Sequence, residues 1–416
     1  MVACSREIKK RMRILMLAQF YPPMIGGEER HVHNLSIELV KRGHDVAVVT
    51  LWQEGLPEFE CDHSVRIYRI RAAIQRVSGL YKDKEHRHAP PFPDVGALWA
   101  LHRIIVQERP DIVHAHNWLV HSFTPLKAWS KAKLVVTLHD CGLTCAKQQF
   151  VYHGTLCDGP DLIKCLGCAA ENYGVARGMP ITLAHRLWGK VEQHTVDMFL
   201  PVSRAIARAN QLEKWKVRYH VIPNFIPNDM DTSVDTDPLL EQLPEDSYLL
   251  FVGNVGRDKG VEVLLRAYTE MGSQVPLVLI GQPEVDFSVN LPPNARLLQS
   301  WPHASVMSAW RRCTIALIPS ICPDACPTVA MEAMMMERAI VASQIGGLPD
   351  IVVDGETGFL IPPGDWHTLR EMIQRLLDDS VLRERMGAMA KQRVVAFQAR
   401  AVVPRIEKAY QEVLQS

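Results

Sequence analysis

The sequence has no uninterrupted apolar run long enough to cross a bilayer, which takes about 20 helical residues. Its first residues, MVACSREIKKRM, are basic but have no apolar core of the kind found in a signal peptide. Neither charge is in excess, because Lys plus Arg and Asp plus Glu both number 46, so bulk charge indicates neither a nucleic-acid partner nor an acidic tail. These absences favour a cytoplasmic protein and leave open a peripheral contact with the inner face of the membrane.

The dinucleotide fingerprint G-x-G-x-x-G is also missing from the first βαβ pattern, so a nicotinamide cofactor is not supported. In that pattern a predicted strand at residues 13–18 leads into a loop with Gly26 and Gly27. A helical segment and a second strand at residues 44–50 follow. The glycines therefore lie where a parallel sheet exposes the carboxyl ends of its strands.

At 416 residues the chain is long enough for two or three domains. Its composition, 47% hydrophobic and 22% charged, is that of a globular protein. Strand and helix patterns alternate in both halves, which predicts an α/β fold. Residues 198–202 and 219–222 are predicted to close the first sheet, and the acidic, proline-bearing residues 223–238 are predicted to link two domains.

Two further predicted strands in the first half, residues 111–116 and 134–139, each end in a histidine, His116 and His139. Ligands bind at strand ends in open α/β sheets. Each histidine is therefore a candidate site residue, and a hydrogen-bonded structural role is the alternative for both.

Five of the ten cysteines lie in the segment C-x3-C-x11-C-x7-C-x2-C, which begins at Cys141. Cys165 and Cys168 have the spacing of a zinc knuckle, and Cys145 and Cys157 could complete a set of four ligands. A set of small buried residues and free thiols is the alternative. A catalytic metal is not expected there, because four thiolates leave no open coordination position.

The second half begins with a strand at residues 247–252, followed by the loop GNVGRDKG and a helical pattern. A glycine loop between a strand and a helix suits phosphate, because the backbone can approach the ligand closely. Arg257 and Lys259 add positive charge to this loop.

The stretch from Asp324 to Asp365 combines two acids, a helix start and a glycine turn. A helical pattern begins at Thr328, and Glu332 lies four residues later on the same helix face. The first N–H groups of that helix, near Thr328 and Val329, suit an anion such as phosphate. The stretch is therefore suited to a ligand that has both hydroxyl groups and phosphates.

The order and spacing of these motifs resemble the retaining glycosyltransferases of family 4 (glycosyltransferases group 1) over nearly the whole chain. The motifs that carry the resemblance are PPMIGGEERHVHNLSIELVKRGHDVAVVT, DIVHAH, TLHD, FLPVSRAIA, VIPN, GNVGRDKGVEVLLRAY and DACPTVAMEA…GGLPDIVVDGETGFLIPPGD. The cysteine segment resembles an insert found in a subset of the family.

The resemblance implies the GT-B fold, in which two Rossmann-like domains face each other across a cleft. It implies an acceptor-side domain at residues 1–225 with the cysteine-bearing insert at 141–170, a nucleotide-sugar domain at 226–395, and a helix at 396–416 that crosses back. The implied reaction transfers a sugar from a nucleotide-diphosphate sugar to a glycan, a lipid-linked acceptor or a small molecule, with retention of configuration and without a catalytic metal.

The resemblance also implies roles for individual residues. Glu332 would hold the donor ribose, Asp324 and His139 the donor sugar, and Lys259 the diphosphate, with Gly26, Gly27, Thr328 and Val329 at the phosphates. Two positions depart from the family pattern. Asn254 replaces the usual arginine, whose place Arg257 could take, and Asp324 replaces the usual glutamate. A nucleotide-sugar epimerase of the same fold and a non-catalytic binding subunit are the alternatives.

Overall fold

The computed structural model describes residues 11–24, 26–76, 88–229, 237–272, 274–284, 287–288 and 290–416. Within these residues the chain forms two α/β domains, each built around a sheet of mainly parallel strands. Part of the predicted linker, residues 230–236, lies outside the described residues.

The described part of the first domain contains nine short strands and seven α-helices. The strands are β1 (Arg13–Leu17), β2 (Asp45–Leu51), β3 (Phe59–Asp62), β4 (Val65–Ile70), β5 (Ile112–Ala115), β6 (Lys133–Leu138), β7 (Val151–Tyr152), β8 (Thr155–Leu156) and β9 (Met198–Pro201). The helices are α1 (Gly27–Lys41), α2 (Val95–Glu108), α3 (Val120–Phe123), α4 (Lys127–Ser130), α5 (Leu162–Tyr173), α6 (Val175–Thr195) and α7 (Arg204–Ala209).

Seven of these strands form one sheet in the order β3-β4-β2-β1-β5-β6-β9, in which only the β3–β4 pair is antiparallel. The central strands β2, β1, β5 and β6 are buried beyond their first residue, as expected for parallel strands covered by helices on both faces. Strand β9 is the last strand of this sheet, and residues 218–222 run beside it. The Phe199 N–H donates to the Arg218 carbonyl, and the His220 and Ile222 N–H groups donate to the Phe199 and Pro201 carbonyls, so the segment closes the sheet edge without being a strand.

Among the described residues, the second domain and the segment that follows it contain six strands and seven α-helices. The strands are β10 (Leu249–Val252), β11 (Leu277–Ile280), β12 (Ala295–Leu298), β13 (Ile315–Ile318), β14 (Ala339–Ser343) and β15 (Gly358–Ile361). The helices are α8 (Val261–Met271), α9 (His303–Arg312), α10 (Thr328–Met335), α11 (Leu348–Ile351), α12 (Trp366–Asp378), α13 (Ser380–Val394) and α14 (Ala399–Gln415). All six strands are parallel, in the order β12-β11-β10-β13-β14-β15.

The last helix, α14, returns to the first domain. The return begins beside the outgoing chain, where the Ile226 N–H donates to the Phe397 carbonyl and the Ala399 N–H donates to the Ile226 carbonyl. Farther along α14, the buried Glu407 carboxylate lies 3.0 Å from His44 Nε2, next to β2. The domain limits at residues 225 and 395 remain predictions. Among the described residues, no helix has both the length and the apolar character needed to cross a bilayer.

A buried hydrogen bond joins α14 to the first sheet. The Tyr410 hydroxyl lies 2.7 Å from His114 Nδ1, and His114 Nε2 lies 2.7 Å from Thr137 Oγ1. Burial lowers the pKa of His114 to about 3, so the ring is neutral at pH 7. A neutral ring can accept from Tyr410 at Nδ1 and donate to Thr137 through Nε2.

Tyr410→Phe is expected to destabilise the chain by about 1–3 kcal/mol, because it leaves a buried imidazole nitrogen without its donor. Urea unfolding of the variant measures the loss. Tyr152→Phe, on the half-buried strand β7, is the matched control and should change the free energy of unfolding by less than about 0.5 kcal/mol. Equal stability of the two variants would contradict the assigned hydrogen bond.

Candidate functional site

A cavity of about 140 Å³ lies between the two domains. Residues of α1 and of the segment 225–227, which follows α7, line one side of the cavity, and residues of α9 and α10 line the other. The lining residues are Gly27, Arg30, His31, Asn34, Phe225, Ile226, Pro227, His303, Thr328 and Glu332. This cavity is the centre of the candidate site, because both domains contribute polar side chains to it.

Glu332 lies in the wall of this cavity with only 3% of its side chain exposed. Its Oε1 atom lies 3.0 Å from His303 Nε2 of the same domain and 3.6 Å from Arg30 Nη1 of the first domain. A buried carboxylate is costly unless such partners compensate it. Because both contacts involve Oε1, the second oxygen can accept from a ligand hydroxyl.

Helix α10 begins at Thr328, as the sequence predicted. Its N-cap residue is Pro327, and no side chain caps the helix by a hydrogen bond. The first N–H groups therefore remain available for an anion, at the positive end of the helix dipole. Thr328 and Glu332 both line the cavity, which confirms that residues four apart share this face, and Val329 is half-buried beside them.

Lys259 and Asp324 form an ion pair at the carboxyl ends of two neighbouring strands, β10 and β13. The Ser320 hydroxyl donates to the other Asp324 oxygen at 2.8 Å. The loop that carries Lys259 packs directly on the end of β13, and a Cβ on Gly260 would lie 1.9 Å from the Pro319 carbonyl oxygen. The Lys259 side chain is 32% exposed, so a ligand phosphate can reach its ammonium group.

The glycine turn after β14 supports Asp324 through its backbone. The Gly347 N–H donates to the Asp324 carbonyl at 2.7 Å, and a Cβ on Gly347 would lie 2.2 Å from the Ala325 carbonyl oxygen. Gly346 has a φ of +59°, and a Cβ there would lie 2.2 Å from the Asp324 carbonyl oxygen. The sequence Gly346-Gly347 therefore sets how closely this turn approaches the acid.

Gly347→Ala should lower the rate of the reaction catalysed at this site by about 10–100-fold, because the added methyl displaces the segment that holds Asp324. Steady-state kinetics and the melting temperature together measure the effect. Gly167→Ala is the control, since a Cβ there meets nothing within 4 Å in the middle of α5. A Gly347→Ala enzyme with the kinetics of the Gly167→Ala enzyme would show that the turn does not position Asp324.

His139 lies at the end of β6 beside two other histidines. Its Nε2 atom lies 3.0 Å from His116 Nδ1, and the His31 ring approaches with centroids 5.1 Å apart. Burial lowers the pKa of all three, so the rings are neutral at pH 7. The His31 ring lines the cavity, and neither of its buried nitrogens has a partner among the described residues.

In contrast to these histidines, two acids of the first domain, Glu28 and Asp140, have raised pKa values. Burial raises the pKa of Asp140 to about 6, and the Gly142 N–H, 2.6 Å from Oδ1, partly opposes that shift. Burial and the neighbouring Glu29 raise the pKa of Glu28, to which the Asn117 amide donates. The first-domain wall of the site therefore carries less negative charge at pH 6 than its composition indicates.

The remaining residues predicted to contact the phosphates lie in different surroundings. Gly27 lines the cavity with open space where a side chain would project, whereas a Cβ on Gly26 would meet the Glu29 side chain. Asn254 is exposed. The Arg257 guanidinium pairs with Glu262 at 3.1 Å and is 76% exposed, and its phosphate contact stays a prediction.

Cys145, Cys157, Cys165 and Cys168 are free, half-buried thiols, and the last two lie on α5. Four zinc-bound sulfurs would lie about 3.8 Å apart, given Zn–S bonds of about 2.3 Å. In the described parts of the chain, two groups bring three possible ligand atoms within 4.8 Å of one another, and neither contains a cysteine. They are His31, His116 and His139, and His33, Asp62 and His63. No three of the cysteine sulfurs lie that close together among the described residues, and the structural zinc stays a prediction.

Residues 25–229 match the family model described as Glycosyltransferase Family 4, and residues 240–393 match the model described as Glycosyl transferases group 1. With the two facing α/β domains, these matches define a glycosyltransferase of the GT-B type. The chain belongs to the group 1 glycosyltransferases.

Similar proteins include a glycogen synthase of Mycobacterium tuberculosis, 25% identical over 92% of this chain and 91% of that protein. A D-inositol 3-phosphate glycosyltransferase of Corynebacterium diphtheriae is 32% identical over 39% of this chain and 42% of that protein.

Similar solved structures include sucrose-phosphate synthase from Thermosynechococcus elongatus, with a TM-score of 0.74, 19% identity, and 97% and 100% of the two chains covered. Another is Anabaena Alr3699/HepE in complex with UDP, with a TM-score of 0.71, 17% identity, and 96% and 100% covered. At these identities the likeness concerns the fold alone.

Proposed function

We propose that this enzyme transfers a sugar from a nucleotide-diphosphate sugar to a glycan or lipid-linked acceptor, with retention of the anomeric configuration. The observation that carries the proposal is the arrangement of the second domain at the cleft. The ammonium group of Lys259, the open start of α10 and the buried Glu332 carboxylate offer a diphosphate and a ribose complementary contacts. The proposed setting is the cytoplasm or the inner face of the membrane.

In this proposal Glu332 accepts hydrogen bonds from the ribose hydroxyls, while Asp324 and His139 contact the donor sugar. Lys259, the α10 start at Thr328 and Val329, and the Gly26-Gly27 loop stabilise the charge that develops on the departing nucleoside diphosphate. Arg257 and Asn254 contribute less to binding the diphosphate, because both side chains are exposed at the loop surface.

The reaction breaks the bond between the sugar C1 and the diphosphate oxygen and forms a bond from C1 to the acceptor oxygen. Attack from the face that the diphosphate leaves retains the configuration, and a phosphate oxygen takes the acceptor proton. This route needs no carboxylate as a covalent nucleophile. Closure of the two domains would exclude water and limit hydrolysis of the donor.

The comparisons support a nucleotide donor. One structural neighbour is described in complex with UDP-glucose, and another, a starch synthase domain from Arabidopsis thaliana, is bound to ADP and acarbose. Several relatives are named for sugar transfer to a glucan or to inositol phosphate.

A thermal-shift screen against UDP-, GDP-, ADP- and dTDP-sugars tests the proposal, followed by proton NMR of the product formed from the stabilising donor. We expect one nucleotide class to raise the melting temperature and the product to keep the donor's anomeric configuration. An inverted product would refute retention. Epimerised sugar and free nucleotide formed without acceptor would identify an epimerase, and calorimetric binding without turnover would identify a binding subunit.

A further inference from the structure

Helix α6 exposes an apolar row to solvent. Met179, Leu183 and Leu187 are 44%, 53% and 62% exposed, and their spacing of four residues places them on one side of the helix. The opposite side is buried, with Thr182 and His185 packed inward. Isolated exposed apolar residues are ordinary, but a continuous row on one helix marks an interaction surface.

The exposed charges that α6 itself carries are all positive. The charged residues of α6 are Arg177, Arg186, Lys190 and Glu192, of which the three basic side chains are exposed and Glu192 is buried. A groove of about 240 Å³ runs alongside, with Arg186, Lys190 and Lys214 in its lining and no carboxylate among its lining residues. We refer to Met179, Leu183, Leu187, Arg186 and Lys190 as the α6 face.

The buried side of α6 supports the loop that follows the candidate catalytic histidine. The His185 ring donates from Nε2 to the Gly142 carbonyl at 2.7 Å, two residues after Asp140. A Cβ on Gly189 would lie 3.2 Å from the Leu143 carbonyl oxygen, so the helix packs closely on this loop. The α6 face is therefore one helix diameter, about 10 Å, from the loop that follows His139.

We infer that the α6 face docks the enzyme on an anionic phospholipid surface. Leu183 and Leu187 enter the boundary between headgroups and acyl chains, and Arg186, Lys190 and Lys214 contact lipid phosphates. This arrangement is that of an amphipathic helix lying in the membrane interface. A protein partner is disfavoured, because the centres of protein interfaces are depleted of charge and of lysine.

The inference deepens the proposed function, and its biological sense rests on that function. A docked α6 face would hold the acceptor side of the cleft next to the bilayer, where a lipid-linked acceptor presents its headgroup. The docking itself requires neither donor nor acceptor.

Vesicle sedimentation of the full chain, without nucleotide or acceptor, tests the inference. We expect binding to vesicles of an equal mixture of phosphatidylcholine and phosphatidylglycerol, and much weaker binding to phosphatidylcholine alone. Arg186→Glu with Lys190→Glu should weaken binding by about 25-fold or more, at about fivefold for each basic residue lost. Leu183→Gln with Leu187→Gln should weaken it by about tenfold.

Matched double variants on the second domain and on α14 provide the controls. Val381→Gln with Met389→Gln replaces two exposed apolar residues of α13, and Arg400→Glu with Lys408→Glu reverses two exposed charges of α14. Both should bind vesicles like the wild type.

Wild-type protein that leaves both kinds of vesicle in the supernatant would overturn the inference. Binding of the α6 variants at the wild-type level would also overturn it. A third contrary result would be no vesicle binding together with a wild-type oligomer, seen by light scattering, that dissociates in the Leu183→Gln, Leu187→Gln variant. The donor thermal-shift screen is a separate measurement. Vesicle binding without donor binding would reject the proposed function but would still support docking through the α6 face.

Discussion

Lys259→Ala is expected to lower kcat for sugar transfer by about 100–1000-fold, the usual cost of removing a group that stabilises charge in the transition state. The ammonium group lies at the carboxyl ends of β10 and β13, paired with Asp324 and open to a ligand. Leaving-group charge develops on the diphosphate as the bond to C1 breaks, so the loss should appear mainly in kcat. Initial rates at saturating donor measure it.

Loss of Lys259 should leave the fold intact. The residue is one-third exposed, and Asp324 keeps its hydrogen bond from Ser320. Lys391→Ala is the matched control, because it removes another lysine of the second domain that is paired with an acid, Glu337, outside the cavity. Turnover by Lys259→Ala at the rate of the Lys391→Ala enzyme would place the leaving group elsewhere.

Glu332→Gln should raise the KM for the donor by about 10–100-fold, because the hydroxyls of the ribose lose a charged acceptor. Glutamine keeps the shape of the side chain, so the loss of binding is not attributable to a new cavity. The substitution also removes the anionic partner of His303 in the same domain and of Arg30 across the cleft. Donor titration by calorimetry gives the same loss as a change in Kd.

Glu337→Gln is the control for this substitution. Glu337 lies just beyond the end of α10, and its carboxylate pairs with Lys391 at the surface. Equal donor affinities of the two glutamine variants would exclude Glu332 as a donor ligand.

Much of the donor side of the site is predictable from the sequence, because it depends on local rules. A strand followed by a glycine loop and a helix places Lys259 at the carboxyl edge of a parallel sheet. Helical spacing places Thr328 and Glu332 on one face, and both line the cavity. Adjacent strands then bring Lys259 to Asp324, although the two residues are 65 positions apart in the sequence.

The first-domain wall is less predictable, because it depends on how the two domains pack. Arg30 reaches Glu332 of the second domain, and His31 lies against His139 and Phe225. The only local signal for His31 is its spacing of four residues from Leu35, which places it on the buried side of α1. No sequence pattern indicates that His303 faces Glu332, since α9 and α10 meet only in the tertiary fold.

Two interpretations from the sequence are not supported by the positions of the side chains. Arg257 lies in a phosphate-type loop, but Glu262 of the following helix turn holds its guanidinium at the surface. Cys165 and Cys168 have zinc-knuckle spacing, but the structure places them on α5. Spacing alone therefore does not bring the four sulfurs together.

The most direct test of this account is a structure of the enzyme with the nucleoside diphosphate selected by the donor screen. The account predicts the diphosphate between Lys259 and the start of α10 at Thr328, and the ribose hydroxyls on Glu332. A nucleotide bound away from these three residues, for example in the groove beside α7 lined by Arg204 and Arg208, would contradict it.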